Sequence, residues 1–289
     1  MTDPIEHPVL GLSRRVVSLR WQGGGMSEQA WTGGQVTERA HCVLAPNPGP
    51  MTLDGTNTWV LLEPGGTEAV VIDPGPLDEA HLARVVDTVT AAGARVTETI
   101  LTHGHHDHAE AAPRFAELTG TRVRAVGRGH DDLSDGSVIT AGALEIRVVA
   151  TPGHTSDSVS FALAADHALL TGDTVLGRGT TVVAHPDGEL AAYLASLDRI
   201  ADLTGNGQVT RILPGHGPAV PDASAMVAFY RTHRQERLEQ VRQALTDGAA
   251  GEPDPVEGVL TRVYADVPQE VWPAARMSIR AQLDYLGVR

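Results

Sequence analysis

Thr102-His103-Gly104-His105-His106-Asp107-His108 is the stretch from which the rest of this chain is read. It follows the apolar run Glu98–Leu101, so its imidazole and carboxylate donors sit where a strand gives way to a loop. The same arrangement recurs further along. His154 in Thr-Pro-Gly-His-Thr follows Leu144–Ala150, Asp173 in Thr-Gly-Asp-Thr follows His167–Leu170, and His216 in Leu-Pro-Gly-His-Gly follows Arg211–Leu213. Donors that leave strand ends on one side of a sheet can meet without contorting the backbone, so four such motifs in one chain point to a single site.

The donor set is five imidazoles and two carboxylates, which suits two borderline-soft divalent cations such as zinc. The expected assignment is His103, His105 and His154 on one metal and Asp107, His108 and His216 on the other, with Asp173 bridging. A pair of this kind lowers the pKa of a shared water to about 7 and polarises a carbonyl or phosphoryl oxygen, which predicts hydrolysis by a metal-bridging hydroxide. Asp107 is the expected catalytic residue, orienting the hydroxide and passing its proton to the leaving group. Asp73, in Ile-Asp-Pro-Gly, reads either as the outer partner of a metal-bound imidazole or as a turn carboxylate. His106 is expected to face outward. His41, His81, His130, His167 and His233 are expected to be surface or satisfied core residues.

A chain of 289 residues with 42% hydrophobic content can form one large α/β domain with appendages. No apolar run approaches the roughly 18 residues of a membrane helix. Ser13-Arg14-Arg15 resembles the start of a twin-arginine signal, but Arg20, Gln22 and Gly23–Gly25 stand where its apolar stretch should be. One cysteine, Cys42, allows no internal disulfide; it reads as a small strand residue, and cytoplasmic residence is expected. All 22 basic residues are arginine, and the net charge of −14 argues against a general nucleic-acid binder.

Residues 1–34 lack sustained periodicity and are expected to form a flexible extension. Residues 35–221 are expected to form the catalytic domain. Its strands read at 36–44, 58–62, 69–72, 122–126, 137–139, 144–150, 158–162, 167–170 and 211–213, and its helices at 78–92, 109–118 and 190–203. Strands and helices that do not strictly alternate suggest two sheets covered by helices. In 222–289, Val227, Tyr230, Arg234, Leu238, Val241 and Leu245 share one helical face. Two more amphipathic segments follow the break at 247–255, which predicts a helical C-terminal subdomain.

His-x-His-x-Asp-His with His154, Asp173 and His216 resembles the metallo-β-lactamase superfamily over about residues 36–221. That resemblance implies an α+β fold, a four-layer αββα sandwich with a dinuclear centre at one edge between the sheets. Asn47–Leu53 with Gly55–Thr58, and Gly172–Gly177 with Gly179–Val182, are similar to the β-lactamase-like protein 2 branch. That branch includes an endoribonuclease and thioesterases that release polyketides from carrier proteins, and its members carry a helical, partly winged-helix C-terminal region. Here the chain stops soon after its last helix, so a wing is not expected. The leading expectation is a two-zinc hydrolase of a small-molecule or carrier-linked ester, thioester or lactone. The alternatives are a single-strand endoribonuclease, which the acidic charge disfavours, and an iron-dependent sulfur dioxygenase using His103, His154 and Asp173. Met51–Thr58 and Gly177–Thr181 are the expected substrate-facing loops. Within them Thr56, Asn57 and Thr181 are expected to donate hydrogen bonds to substrate, and Arg178 either attracts an anion or faces solvent.

Overall fold

The structure is a computed structural model that describes residues 30–127 and 129–288. The strands are β1 (Gly34–Gln35), β2 (Ala40–Leu44), β3 (Asn57–Leu62), β4 (Glu68–Ile72), β5 (Arg95–Ile100), β6 (Val123–Ala125), β7 (Asp131–Asp132), β8 (Val138–Ala141), β9 (Leu144–Ala150), β10 (Val159–Leu163), β11 (Ala168–Gly172) and β12 (Arg211–Pro214). The helices are α1 (Glu79–Ala91), α2 (His106–Ala109), α3 (Ala112–Thr119), α4 (Leu190–Gly205), α5 (Ala223–Thr246), α6 (Pro255–Val263) and α7 (Trp272–Tyr285). One sheet runs β1 to β7 in chain order, and the other runs β12-β11-β10-β9-β8.

The two sheets face each other because each strand alternates apolar and polar residues or is apolar throughout. In β9, Leu144, Ile146 and Val148 are buried while Glu145 and Arg147 point to solvent. Those three meet Trp59, Leu61, Val70, Ile72 and Ile100 of the first sheet and Phe161, Leu170 and Leu213 of their own. The outer face of the first sheet is closed by α1 and α3, through Leu82, Val85, Val89 and Phe115 against Val60, Ala69 and Val71. The outer face of the second is closed by α4 and the first half of α5, through Tyr193, Leu197, Ile200, Met226, Val227 and Tyr230. This is the four-layer αββα arrangement. Asp78 caps α1 by accepting from the His81 amide at 2.7 Å, and Gly120 closes α3 in the left-handed conformation with φ 70°.

Several expected boundaries move. The expected strand 36–44 shortens to β2, because Val36 and Thr37 both donate to the Ala40 carbonyl and form a tight turn that separates β2 from β1. Of the expected flexible extension 1–34, residues 1–29, with Ser13-Arg14-Arg15 and Gly23–Gly25, lie outside the described residues. The described remainder is docked: Gly34 pairs with Cys42, and the Trp31 indole donates to Asn57 at 2.8 Å. Beyond β12 the described residues contain helices and no strand, so no wing is present among them. A cut at 221/222 falls at the Asp222 cap of α5, but α5 itself serves two layers. Its first half covers the second sheet, and Val241 and Ala244 near its end pack with Val259, Leu260, Ile279 and Leu283 of α6 and α7.

Candidate metal centre and its groove

All seven expected donors come from loops at one edge of the sandwich. β5 ends at Ile100 and delivers His103 and His105, and one short helical turn, α2, carries Asp107 and His108. The loop after β9 delivers His154, the end of β11 delivers Asp173, and the loop after β12 delivers His216. His103, His105 and His154 form one group of three whose donor atoms lie within 4.8 Å of one another, and Asp107, His108 and His216 form another. Asp173 stands between them. Its Oδ2 is 3.8 Å from His154 Nε2 and 3.4 Å from His216 Nε2, and its Oδ1 is 3.4 Å from His108 Nε2. His106 is exposed, as its place outside the pattern predicts.

Outer partners fix which nitrogen each ring turns inward. His154 Nδ1 donates to the Val182 carbonyl at 2.6 Å and His216 Nδ1 to the Gly55 carbonyl at 3.1 Å. His108 Nδ1 faces Asp73 Oδ2 at 2.8 Å. His103 Nδ1 is 3.0 Å from the Thr102 hydroxyl, which itself donates to Asp73 Oδ2 at 2.6 Å and so accepts from the ring. In each case Nε2 is the nitrogen turned toward the centre. Of its two readings, Asp73 thus takes that of an outer partner, serving His108 directly and His103 through Thr102.

Whether these residues fit cations can be judged from the donors alone. Nitrogens converge at 3.0 Å (His103 Nε2 to His105 Nδ1), 3.1 Å (His154 Nε2 to His105 Nδ1) and 3.2 Å (His108 Nε2 to His216 Nε2). Lone pairs held this close require a shared electrophile, either protons or metal. Asp173 Oδ1 is buried and makes no hydrogen bond, a costly state for a carboxylate oxygen unless a cation sits beside it. Burial holds the His103 and His154 imidazoles below their ordinary pKa, and it does the same for His105, down to about 4. Burial acts likewise on His216, but Asp173 and Asp107 outweigh it and raise that ring to about 9. Neutral rings on one side and carboxylates on the other fit soft-to-borderline divalent cations.

The expected substrate residues divide. Thr181 is nearly buried, 3.3 Å from His154 Nδ1, and lines a groove of about 310 Å³ that opens from His154 and Asp173. Met51, Leu53, Arg178, Gly179 and Thr180 line it too, and Arg178 is half-exposed and paired with Asp54 at 2.5 Å. Thr56 and Asn57 do not reach it. Thr56 is fully buried and holds Asp107 Oδ2 at 3.3 Å while Asn47 brackets its amide and hydroxyl. Asn57 donates to the Pro214 and Gly217 carbonyls at 2.9 and 2.8 Å and accepts from Trp31 and Cys42. Both are scaffold that carries β3 across to the His216 loop, a use of side-chain amide and hydroxyl that sequence spacing does not distinguish from substrate binding. The Cys42 thiol is held well above its usual range by burial and is chemically quiet.

What the sequence reading left out is the far wall of the groove. Arg234 and Arg237 of α5, Tyr264 after α6, Val267, and Ala274, Ala275 and Ser278 of α7 line it. The C-terminal helices therefore form half of the cleft. The available signal was Arg234 itself, a cation standing in the apolar stripe of α5.

The sequence model described as the Metallo-beta-lactamase superfamily matches residues 51–137 and 125–216, a span containing every donor above. A beta-lactamase-like protein 2 homolog of Drosophila melanogaster is 30% identical, covering 84% of this chain and 86% of its own. An atrochrysone carboxyl ACP thioesterase of Aspergillus chevalieri is 34% identical, covering 82% of this chain and 77% of its own. Among solved structures, a beta-lactamase domain protein from Burkholderia ambifaria superimposes with a TM-score of 0.73 at 24% identity, over 88% of this chain and 87% of that one. That likeness extends past the sandwich into the C-terminal helices.

Proposed function

The chain belongs to the metallo-beta-lactamase superfamily, and from that premise we propose that it is a two-zinc hydrolase of small or carrier-linked acyl thioesters and esters. The observation that carries this reading is the convergence of His103, His105, His154, Asp107, His108, His216 and Asp173 at the head of a groove with an apolar wall. His103, His105 and His154 would hold one cation and Asp107, His108 and His216 the other, with Asp173 between them. When bound, the cations supply Lewis acidity toward the acyl oxygen and make water acidic enough to furnish hydroxide near neutral pH.

The chain's own residues do the rest. Thr56 and His216 lie at 3.3 and 3.1 Å from Asp107, whose side chain stays partly exposed. Asp107 accepts the proton of the attacking water and returns it to the departing sulfur or oxygen, as the acyl carbon–sulfur or carbon–oxygen bond breaks. Val182 and Gly55 hold the inner rings by their carbonyls, so the donors need not reorganise during turnover. Similarity to the carrier-protein thioesterase of Aspergillus chevalieri supports a thioester over a β-lactam.

The test is hydrolysis of a panel of acyl thioesters, esters, lactones, β-lactams and unstructured RNA by zinc-loaded protein, beside the Asp107→Asn variant. Thioester cleavage that falls by a factor on the order of 10²–10⁴ in the variant is the expected result. Metal-dependent RNA cleavage without thioester cleavage would overturn it.

A further inference from the structure

Arg234 is a buried guanidinium with no acidic partner, on the wall of the groove. Its residue is 5% exposed, yet among the described residues it forms no ion pair. Its Nη2 donates to the Thr181 carbonyl, its plane lies over the Tyr193 ring at 4.9 Å, and its Nε is buried with no hydrogen bond. One turn along α5, Arg237 lines the same groove. It donates to the Val263 carbonyl at 2.6 Å, stacks on Tyr264 at 4.4 Å, and also has no carboxylate partner among the described residues. Most other arginines near the surface are paired, as Arg39, Arg95, Arg114, Arg199 and Arg276 are.

In a chain of net charge −14, two unneutralised guanidiniums on the wall of one cleft are a local reversal of sign. An unpaired buried charge is costly unless something supplies its counter-charge. The neighbouring His233 feels the same field: burial, Arg234 and Arg237 together lower its imidazole to about 4, so it adds no positive charge and no competitor for an anion. Leu176, Val267, Val271 and Ala274 give the same groove an apolar lining, and Thr181 joins Arg234 to His154.

Resting on the thioester-hydrolase reading, we infer that Arg234 and Arg237 form an oxyanion anchor for a substrate that carries its own negative charge on an apolar arm. The scissile carbonyl would lie beside His154 and Asp173, the arm against the apolar lining past Arg234, and the anion at Arg237 with Arg234 adding its charge. Arginine suits this role because its planar fork binds carboxylate or phosphate in two hydrogen bonds. The anion belongs either to the acyl tail, as a terminal carboxylate, or to the thiol side, as the phosphate of a pantetheine arm.

Two matched pairs separate these sources. Glutaryl and hexanoyl thioesters of N-acetylcysteamine differ in tail charge, whereas butyryl-phosphopantetheine and butyryl-N-acetylcysteamine differ in thiol charge. The wild type is expected to prefer the charged member of one pair by at least about tenfold in kcat/KM, chiefly through KM. Arg237→Gln should remove that preference. Arg237→Glu should invert it toward a cationic-tailed thioester, which loss of packing alone would not do. Equal rates within both pairs, or a preference unchanged in Arg237→Gln, would overturn the anchor while leaving the hydrolase reading intact. If the wild type cleaves no thioester, the hydrolase reading fails instead. Calorimetric titration of glutarate and phosphopantetheine then decides the anchor: binding lost in Arg237→Gln supports it, and no binding to the wild type overturns it.

Discussion

Asp166, in the turn between β10 and β11, ties the two sheets together at the end of β11 opposite to Asp173. It accepts from the Thr37 hydroxyl, from the Arg39 amide at 3.1 Å and from the Arg39 guanidinium at 2.7 Å, while Glu63 holds the other side of that guanidinium at 2.7 Å. Burial raises the Asp166 carboxyl, but the hydrogen bonds from Thr37 and Arg39 and the arginine's charge outweigh it, and the pKa is lowered. A carboxylate whose folded pKa lies below its unfolded value, near 3.9, contributes stability above that value and loses it as pH falls through the folded one. Asp166→Asn is therefore expected to cost about 1–3 kcal/mol at pH 7 and less at pH 3. Urea unfolding at the two pH values checks this, and an equal loss at both would remove charge from the account. At this same scale the sequence was only half legible. The seven donors are readable because metal chemistry restricts which side chains can serve and in what spacing. Thr56 and Asn57 are not, because a buried hydroxyl or amide serves a backbone carbonyl as readily as a substrate, and only the Pro214 and Gly217 carbonyls in space decide it.

The strands and helices of the sandwich follow from period-two and helical patterning, and most lie within a few residues of where that patterning puts them. The exceptions are informative. The division of β1 from β2 depends on a turn stabilised by Gln35 and Thr37 side chains, which carry no strong turn signature. The placement of α5–α7 over the groove depends on tertiary packing such as Ser278 against the Val183 amide at 3.3 Å, which has no trace in local sequence. The loops that carry the donors are under tighter control than their composition suggests. Gly215, just before His216, is pinned at both backbone ends, donating to Gly172 and accepting from Asn57, each at 2.8 Å. A Cβ there would lie 2.5 Å from Asp173 Oδ1 and 2.8 Å from His108 Cε1. Its backbone is not in the left-handed region, so Gly215→Ala acts through this collision rather than through φ. The pinned loop cannot retreat, and the Asp173 carboxylate must move. The expected outcome is loss of at least one metal equivalent by elemental analysis and a fall in hydrolysis of roughly 100-fold, with only a small drop in Tm. A variant that keeps its full metal complement and rate would show that Asp173 is not held where the collision requires.

Viewed as a whole, the molecule places its most strained electrostatics at one edge of an otherwise apolar sandwich. Five imidazoles and the carboxylates of Asp73, Asp107 and Asp173 are brought together there, with Asp173 Oδ1 unsatisfied and ring nitrogens about 3 Å apart. The loops that hold them come from both sheets, so the site is also a clasp: β5, which leads into α2, belongs to the first sheet, and β9, β11 and β12 to the second. Cations bound between them would link the two halves of the fold and bind the native state alone, because the unfolded chain cannot present donors separated by more than a hundred residues. Such linkage stabilises by about 2.7 kcal/mol when free metal is a hundredfold above Kd. For a chain of 289 residues that corresponds to about 4–5 °C in Tm. Exhaustive chelation is accordingly expected to lower Tm by that amount, with zinc restoring it and magnesium failing to, since the donor set is mainly imidazole nitrogen. Differential scanning calorimetry of chelated and reloaded protein measures the shift. Asp173→Asn supplies the control, because a variant lacking the shared carboxylate should respond to the chelator much less. An unchanged Tm on chelation of protein shown to contain metal would mean that the clasp carries no part of the fold's stability.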